Sequence, residues 1–220
     1  MVNLLFDYDG TIHESLKIYA PAFRKAMQYL EQKGLKEPVI YTDEEIAYWL
    51  GFNVKEMWNT FMPKLSKEEV NTCSQLIGAE MLRLIEEGHA KLYKGTSETL
   101  EGLIEKGYKL LLLSNCKVSY LEAHKETFSL DKYFSAFYTS EEYGFRPKYK
   151  IFEEIKKYHE GEFIVIGDRY QDMEIAIKHG VSSIGCTYGY GSEEELQCAD
   201  IKIDDILKLM EAEAIERVCP

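Results

Sequence analysis

The chain has 220 residues and carries 38 acidic against 26 basic side chains, so its formal charge at pH 7 is −12. That charge argues against a nucleic-acid polymer or an anionic membrane surface as the main partner, because both are negative themselves. Hydrophobic residues make up 45% of the chain, and no run approaches the about 18 apolar residues of a membrane span. With no secretory leader evident either, we expect a globular cytoplasmic protein that is either one large domain or a core with a smaller inserted unit.

The cysteines indicate a reduced protein. Their number is odd and no two form a C-x-x-C pair, which disfavours a disulfide framework or a zinc site. We therefore predict structural thiols at all five positions, and a reactive thiol is the alternative for the one that follows Ser114-Asn115. The five are Cys73, Cys116, Cys186, Cys198 and Cys219.

The first predicted element is an apolar strand that runs into two carboxylates and a glycine turn, Asp7-Tyr8-Asp9-Gly10. Residues two apart in an extended segment point to the same side, so Asp7 and Asp9 can converge. Two carboxylates at that separation repel each other unless a cation or a shared proton relieves them. Taken alone, the stretch has a simpler interpretation, which is an acidic Asp-Gly turn after a buried strand.

Residues 16–88 show helical patterns only, and they predict an inserted all-helical unit. Apolar residues recur at helical spacing over 16–33, and S/T-x-x-E capping boxes at Thr42 and Ser66 mark two further helix starts. A short helix is predicted between them over 53–62. We interpret the aromatic and methionine side chains of this unit as its core rather than as a cofactor site.

From residue 95 onward, helix and strand patterns alternate, which is typical of a doubly wound parallel sheet. Residues 1–15 and 89–220 are therefore predicted to form a Rossmann-like α/β core. The strands are predicted at 108–113, 136–139, 163–166, 182–186 and 201–203, and the helices at 96–106, 117–127, from Pro147 onward, 170–179 and the C-terminus.

Polar side chains follow the predicted strands, at the sheet edge where parallel sheets bind ligands. The set suits magnesium-dependent phosphoryl transfer, because carboxylates hold the hard cation while donors and cations hold phosphoryl oxygens. Its members are Asp7 and Asp9, then Ser114 and Asn115, then Arg146 and Lys148 on either side of Pro147, then Asp168 and Asp172.

The order of these motifs resembles the haloacid dehalogenase-like hydrolase superfamily over essentially the whole chain. The resemblance implies a Rossmann-like core with a helical cap, Mg²⁺ as cofactor and a small phosphate ester as substrate. With an acidic residue at Asp9, the sequence resembles the phosphatase and phosphomutase branches of the superfamily. The dehalogenases and phosphonatases lack an acid at that position. The stretch 188–196 resembles the tail of phosphoglycolate-phosphatase-like members without naming a substrate.

The resemblance also implies roles for the motif residues. Asp7 would be the nucleophile that forms an aspartyl-phosphate, and Asp9 would be the general acid and then the general base. Carboxylates are known nucleophiles for phosphoryl groups, which supports the assignment chemically. The phosphoryl site would comprise Thr11 as loop support with Ser114 and Asn115, and the magnesium site would comprise Asp7, Asp9 through its backbone carbonyl, Asp168 and Asp172.

The cation beside the nucleophile is predicted to be Arg146. The family usually shows Lys-Pro at this point, and Arg146-Pro147 stands in its place. If Pro147 is the first helical residue, Arg146 lies next to the sheet edge and Lys148 lies inside the first turn. A shift of the loop by two residues would instead give this role to Lys148.

Other readings remain open on the sequence alone. A phosphosugar mutase would share these motifs, and so would a catalytically silent binding protein, although a silent protein has no need of both a nucleophile and a proton donor. His13 is predicted to be a surface histidine in the turn after the first motif, and a contact with substrate is the alternative. The sequence does not indicate an oligomeric state.

Overall fold

The computed structural model describes residues 1–211 and Ile215. Six strands form one parallel sheet in the order β3-β2-β1-β4-β5-β6, which confirms the predicted Rossmann-like α/β fold. Within the described part, no helix has the length and apolar character needed to cross a membrane. The strands are β1 (Val2–Phe6), β2 (Lys109–Ser114), β3 (Ala136–Thr139), β4 (Glu162–Gly167), β5 (Ser182–Cys186) and β6 (Ile201–Ile203).

The helices lie close to their predicted positions. Those before β2 are α1 (Leu16–Gln32), α2 (Asp43–Ala47), α3 (Val54–Phe61), α4 (Lys67–Glu86) and α5 (Thr96–Glu105). Those after it are α6 (Val118–Phe128), α7 (Lys148–Ile155) and α8 (Tyr170–His179). The predicted C-terminal helix differs, because Ile206–Met210 is a 3-10 helix, and residues 212–214 and 216–220 lie outside the described residues.

Helices cover both faces of the sheet. Alternate residues of β1 point to opposite faces, so Leu4 packs with the cluster that includes α5 and α6, whereas Leu5 packs with α7 and α8. The same alternation divides Leu110 and Leu111 of β2. Burial on both faces explains why these strands read as continuous apolar runs.

Helices α1 to α4 share a separate apolar cluster that includes Phe23 and Trp58. Both predicted helix starts are present, since Thr42 forms a full capping box and Ser66 accepts a hydrogen bond from the backbone N–H of Glu69. The two segments that join this helical unit to the sheet run side by side. The backbone N–H of Glu14 donates to the carbonyl of Lys91 at 2.8 Å, and that of Tyr93 donates to Ile12 at 2.9 Å.

The strand order places a topological switch point between β1 and β4. The chain proceeds from β1 through β2 to β3 on one side, then returns to β4 on the other side of β1. Such a crevice at the carboxyl ends of the strands is the usual ligand site of a doubly wound sheet. Asp7 directly follows β1 and Asp168 directly follows β4, so both stand at this point.

Candidate active site

Three buried carboxylates converge at the switch point. Asp7, Asp168 and Asp172 each offer an oxygen atom, and these atoms all lie within 4.8 Å of one another. Burial raises the pKa of Asp7 and of Asp168, and repulsion from Asp172 raises both further. Carboxylate oxygens so arranged are the ligands that hard divalent cations prefer.

Lys148 is the cation of this cluster. Its Nζ lies 2.7 Å from Asp7 Oδ1 and 2.7 Å from Asp172 Oδ1, and the side chain is buried. Burial alone would lower the pKa of Lys148, but the carboxylates of Asp172 and Asp7 outweigh it and raise the pKa, so the ammonium stays charged. One ammonium against three carboxylates leaves a negative site that a further cation can balance.

The prediction that Arg146 supplies this cation is wrong. Its side chain is exposed, its Nε donates to the backbone carbonyl of Tyr143 at 3.1 Å, and its guanidinium lies 5.6 Å from the Tyr143 ring centre. Pro147 is the residue before the helix, with φ −55° and ψ 144°, so α7 begins at Lys148 rather than at Pro147. That one-residue shift turns Lys148 inward and leaves Arg146 in solvent.

Asp168 is enclosed by backbone. The N–H of Tyr190 donates to its Oδ2 at 2.7 Å, and the Thr11 hydroxyl donates to its Oδ1 at 3.2 Å. A Cβ at any of three glycines would lie 2.3 Å or less from an atom of Asp168. The glycines are Gly10, Gly189 and Gly191. Residues 188–191 therefore wrap a site carboxylate, and Thr11 positions Asp168.

Asp9 occupies a different environment from Asp7. Its Oδ1 accepts hydrogen bonds from Ser15 Oγ at 2.5 Å and Tyr120 OH at 2.7 Å, and lies 3.3 Å from His13 Nδ1. Burial alone would raise the pKa of Asp9, but these hydrogen bonds outweigh it and hold the pKa below its usual range. Neighbouring carboxylates with opposite pKa shifts are typical of a pair with different catalytic roles.

His13 is fully buried, so its prediction as a surface turn histidine is wrong. The turn after the first motif is tight, because the N–H of Gly10 donates to the carbonyl of His13 and the N–H of His13 donates to that of Tyr8. The imidazole therefore points into the core. It stacks on the Tyr8 ring with the ring centres 5.3 Å apart, and its centre lies 4.3 Å from that of the His124 ring. No local sequence pattern signalled this burial.

Two core side chains contact the helical unit. Asn115 lies next to Ser114 at the end of β2, and its Nδ2 donates to the carbonyl of Gly51 at 2.8 Å. The Arg169 guanidinium donates to the carbonyls of Tyr48 and Leu50 and is buried. Sequence reasoning missed Arg169, whose only signal was its place between Asp168 and Asp172.

Four of the five cysteines lie in the described residues, and all four are free thiols. Burial raises the pKa of Cys116, with a further rise from the charge of Asp9. Its thiol therefore stays protonated at neutral pH, which argues against the reactive-thiol alternative. Cys219 lies outside the described residues.

The fold and the site define an α/β enzyme with an acidic cluster and a buried lysine at its switch point. Residues 4–186 match the model of the haloacid dehalogenase-like hydrolase family, and the chain belongs to this family. It is a hydrolase by family, and its curated relatives include a 5'-nucleotidase and several phosphoglycolate phosphatases.

The relatives align along most of their length. A 5'-nucleotidase from Pseudomonas aeruginosa is 27% identical, with 90% of this chain and 91% of the relative covered. A phosphoglycolate phosphatase from Aquifex aeolicus is 25% identical, with 97% and 98% covered. The crystal structure of a predicted phosphatase from Clostridium acetobutylicum has a TM-score of 0.81 at 21% identity, over 97% of this chain and 98% of that one. That last likeness shows a shared fold.

Proposed function

We propose that the chain is a magnesium-dependent phosphomonoester hydrolase that acts on a small phosphorylated metabolite through an aspartyl-phosphate on Asp7. The observation that carries this proposal is the placement of Asp7 in a buried acidic cluster beside Lys148. Asp9, in its own hydrogen-bonded environment, supplies a second carboxylate for proton transfer. Relatives that hydrolyse phosphate esters support the same class of reaction.

The acidic cluster fits a magnesium ion. Asp7, Asp168 and Asp172 would hold it, since their oxygens converge and Lys148 balances only part of their charge. When bound, Mg²⁺ neutralises phosphoryl oxygens and relieves the repulsion between them and the attacking carboxylate. We assign the backbone carbonyl of Asp9 to the same site.

In this mechanism Asp7, Asp9 and Lys148 have different roles. A carboxylate oxygen of Asp7 attacks phosphorus, and the bond from phosphorus to the ester oxygen breaks as Asp9 gives that oxygen a proton. Asp9 next accepts a proton from the water that attacks phosphorus, which releases phosphate and frees Asp7. Lys148 offsets negative charge beside Asp7, and we place the phosphoryl oxygens near Ser114 and Asn115.

We propose residues 16–88 as a cap on a core formed by 1–15 and 89–220. The separate apolar cluster of α1 to α4 supports this division. The contacts of Asn115 with Gly51 and of Arg169 with Leu50 hold the unit against the sheet edge. A cap closed over Asp7 would exclude water from the reacting phosphoryl group.

The test is phosphate release from acetyl phosphate and a panel of phosphate monoesters, before and after removal of divalent metal with EDTA. We expect Mg²⁺ to restore turnover and Asp7→Asn to abolish it together with the phosphoenzyme. Asp131→Asn is the matched control, because Asp131 is an exposed carboxylate of the core. Near-normal turnover by Asp7→Asn would refute the covalent mechanism. Isomerisation of a sugar phosphate faster than phosphate release would indicate a mutase.

A further inference from the structure

A cavity lies between the helical unit and the core, and Asp9 forms part of its wall. Its volume is about 140 Å³, on the order of ten times the ~10–15 Å³ that one water molecule needs by this measure. There is therefore room for a ring-sized organic group beside the proton donor. Most of the wall is apolar or aromatic, including Tyr19, Trp49, Phe52, Met57, Trp58 and Met81.

The polar groups of this wall are largely paired already. Trp58 Nε1 donates to Ser74 Oγ at 2.8 Å, and that hydroxyl donates in turn to a backbone carbonyl. Asn115 Nδ2 donates to Gly51, whereas its buried Oδ1 has no partner within the described chain. Among the described residues of the wall, Lys117 is the only cation, and most of the remaining surface is apolar. A leaving group that carries a carboxylate would therefore find one partner and little other solvation here, because buried charges need paired donors.

Gly78 opens one side of the cavity. It stands inside α4, where glycine is unfavourable because of its backbone freedom. A Cβ at this position would meet no heavy atom within 4 Å, so helix packing does not require glycine there. The missing side chain instead leaves space in the cavity wall.

We infer that the substrate's leaving group carries a flat ring, and that the substrate is a nucleoside monophosphate, which releases a nucleoside, rather than phosphoglycolate. This inference rests on the proposed hydrolysis at Asp7. Aromatic side chains stack with every kind of nucleobase, and Trp49, Phe52 and Trp58 line this cavity. The Oδ1 of Asn115, which has no partner within the described chain, can accept a hydrogen bond from a hydroxyl or amino group of the leaving group.

Kinetics with three substrates test the inference. Acetyl phosphate carries no ring and reports the chemistry at Asp7, while AMP and phosphoglycolate report the cavity. We expect kcat/KM for AMP to exceed that for phosphoglycolate by about tenfold or more. Gly78→Leu fills the cavity and is expected to lower kcat/KM for AMP about 10- to 100-fold, with a clearly smaller loss for acetyl phosphate. Gly78→Ala is the matched control, with a smaller loss for AMP than Gly78→Leu.

Fluorescence gives a binding readout that needs no turnover. The chain has two tryptophans, Trp49 and Trp58, and both line the cavity. We expect AMP to change their emission in the wild-type protein at concentrations where phosphoglycolate does not. Gly78→Leu should weaken that response, and circular dichroism checks that this variant is folded.

The outcomes separate this inference from the proposed function. A preference for phosphoglycolate that Lys117→Ala removes would overturn the inference and leave the hydrolase intact. Equal losses of AMP and acetyl phosphate turnover in Gly78→Leu would also overturn it. Failure to hydrolyse acetyl phosphate and every phosphate ester tested would refute the proposed function, and an AMP-induced change in fluorescence would still support the ring site.

Discussion

Replacement of Lys148 by methionine tests how the acidic cluster is held together. Its ammonium contacts Asp7 and Asp172 at 2.7 Å each, and all three side chains are buried. Removal of one partner of a buried ion pair costs about 3–5 kcal/mol, because the remaining charges lose their compensation. We expect that loss in Lys148→Met at pH 8 without divalent metal, measured by urea unfolding followed by circular dichroism. Turnover should fall about 10²–10³-fold, as for loss of one electrostatic stabiliser.

The size of this loss should depend on pH and on metal. Burial and Asp172 hold the pKa of Asp7 above its value in the unfolded chain, so folding becomes less favourable as pH rises through that range. Without Lys148 the penalty grows, and the stability difference from wild type should be larger at pH 8 than at pH 5. Mg²⁺ should reduce it, because a ligand that binds only the folded state stabilises that state.

Arg146→Met is the matched control for Lys148→Met. The Arg146 side chain is exposed, and it contacts Tyr143 and lies near the Glu154 carboxylate, so its loss should change stability by less than about 0.5 kcal/mol. Comparable losses of turnover in the two variants, or a loss confined to Arg146→Met, would refute the assignment of Lys148 as the site cation.

Three further predictions concern the surroundings of the cluster. Tyr120→Phe removes a hydrogen bond that lowers the pKa of Asp9, so the descending limb of kcat against pH, which reports the acid in the substrate complex, should move to higher pH with an ester of a poor leaving group. An unshifted limb would exclude Tyr120 from control of Asp9. Burial, followed by repulsion from the neighbouring histidine, lowers the pKa of His124 to about 3. The wild-type protein therefore loses stability as pH falls below about 6.5, the pKa of histidine in the unfolded chain. Between pH 8 and pH 5, the free energy of unfolding of His124→Phe should increase by about 2 kcal/mol relative to that of wild type, as measured by urea unfolding. The same pH dependence in both proteins would contradict this. Arg169→Lys cannot donate at once to Glu195, as Nε does, and to the carbonyls of Tyr48 and Leu50, as Nη1 does. KM should therefore rise and proteolysis near that loop should accelerate, whereas unchanged values of both would show that the contact does not hold the helical unit.

The carboxylate cluster could be predicted from sequence because it depends on topology alone. Asp7 and Asp168 are the first residues after two strands, and neighbouring parallel strands end at the same edge of a sheet. Asp172 lies in the first turn of the helix that follows Asp168, and the spacing of four residues places its carboxylate beside that of Asp168. No knowledge of side-chain direction beyond strand and helix period was needed.

The choice between Arg146 and Lys148 could not be made in that way. Both are long cations within two residues of each other, and they lie on either side of Pro147, which has extended ψ of 144° and precedes the helix. Lys148 faces the cluster, whereas Arg146 lies in solvent. The sequence favours Pro147 as the first helical residue, and the structure begins the helix one residue later. Boundary shifts of this size are common in helices, and here one residue changes the identity of the site cation.

Contacts between the helical unit and the core were also beyond the sequence. Arg169 donates to backbone carbonyls more than one hundred residues earlier in the chain. Every residue has a backbone carbonyl, so the residue type at the acceptor positions does not indicate such a contact. His13 is buried by stacking on Tyr8 and by contact with His124, and these contacts exist only once α6 packs beside the first motif. A histidine in a polar turn gives no local sign of that packing.

The two carboxylates of the first motif show that sequence spacing does not predict the pKa of a side chain, because the pKa depends on the surroundings in the folded chain. Asp7 and Asp9 are two residues apart, yet burial and Asp172 raise the pKa of Asp7, while hydrogen bonds from His13, Ser15 and Tyr120 lower that of Asp9. A general acid needs a proton, and a lowered pKa removes it before substrate binds. A phosphate dianion beside Asp9 raises that pKa again, because a like charge disfavours the ionised form. We therefore expect substrate binding itself to protonate Asp9, so that the acid forms only when there is an ester oxygen to receive its proton.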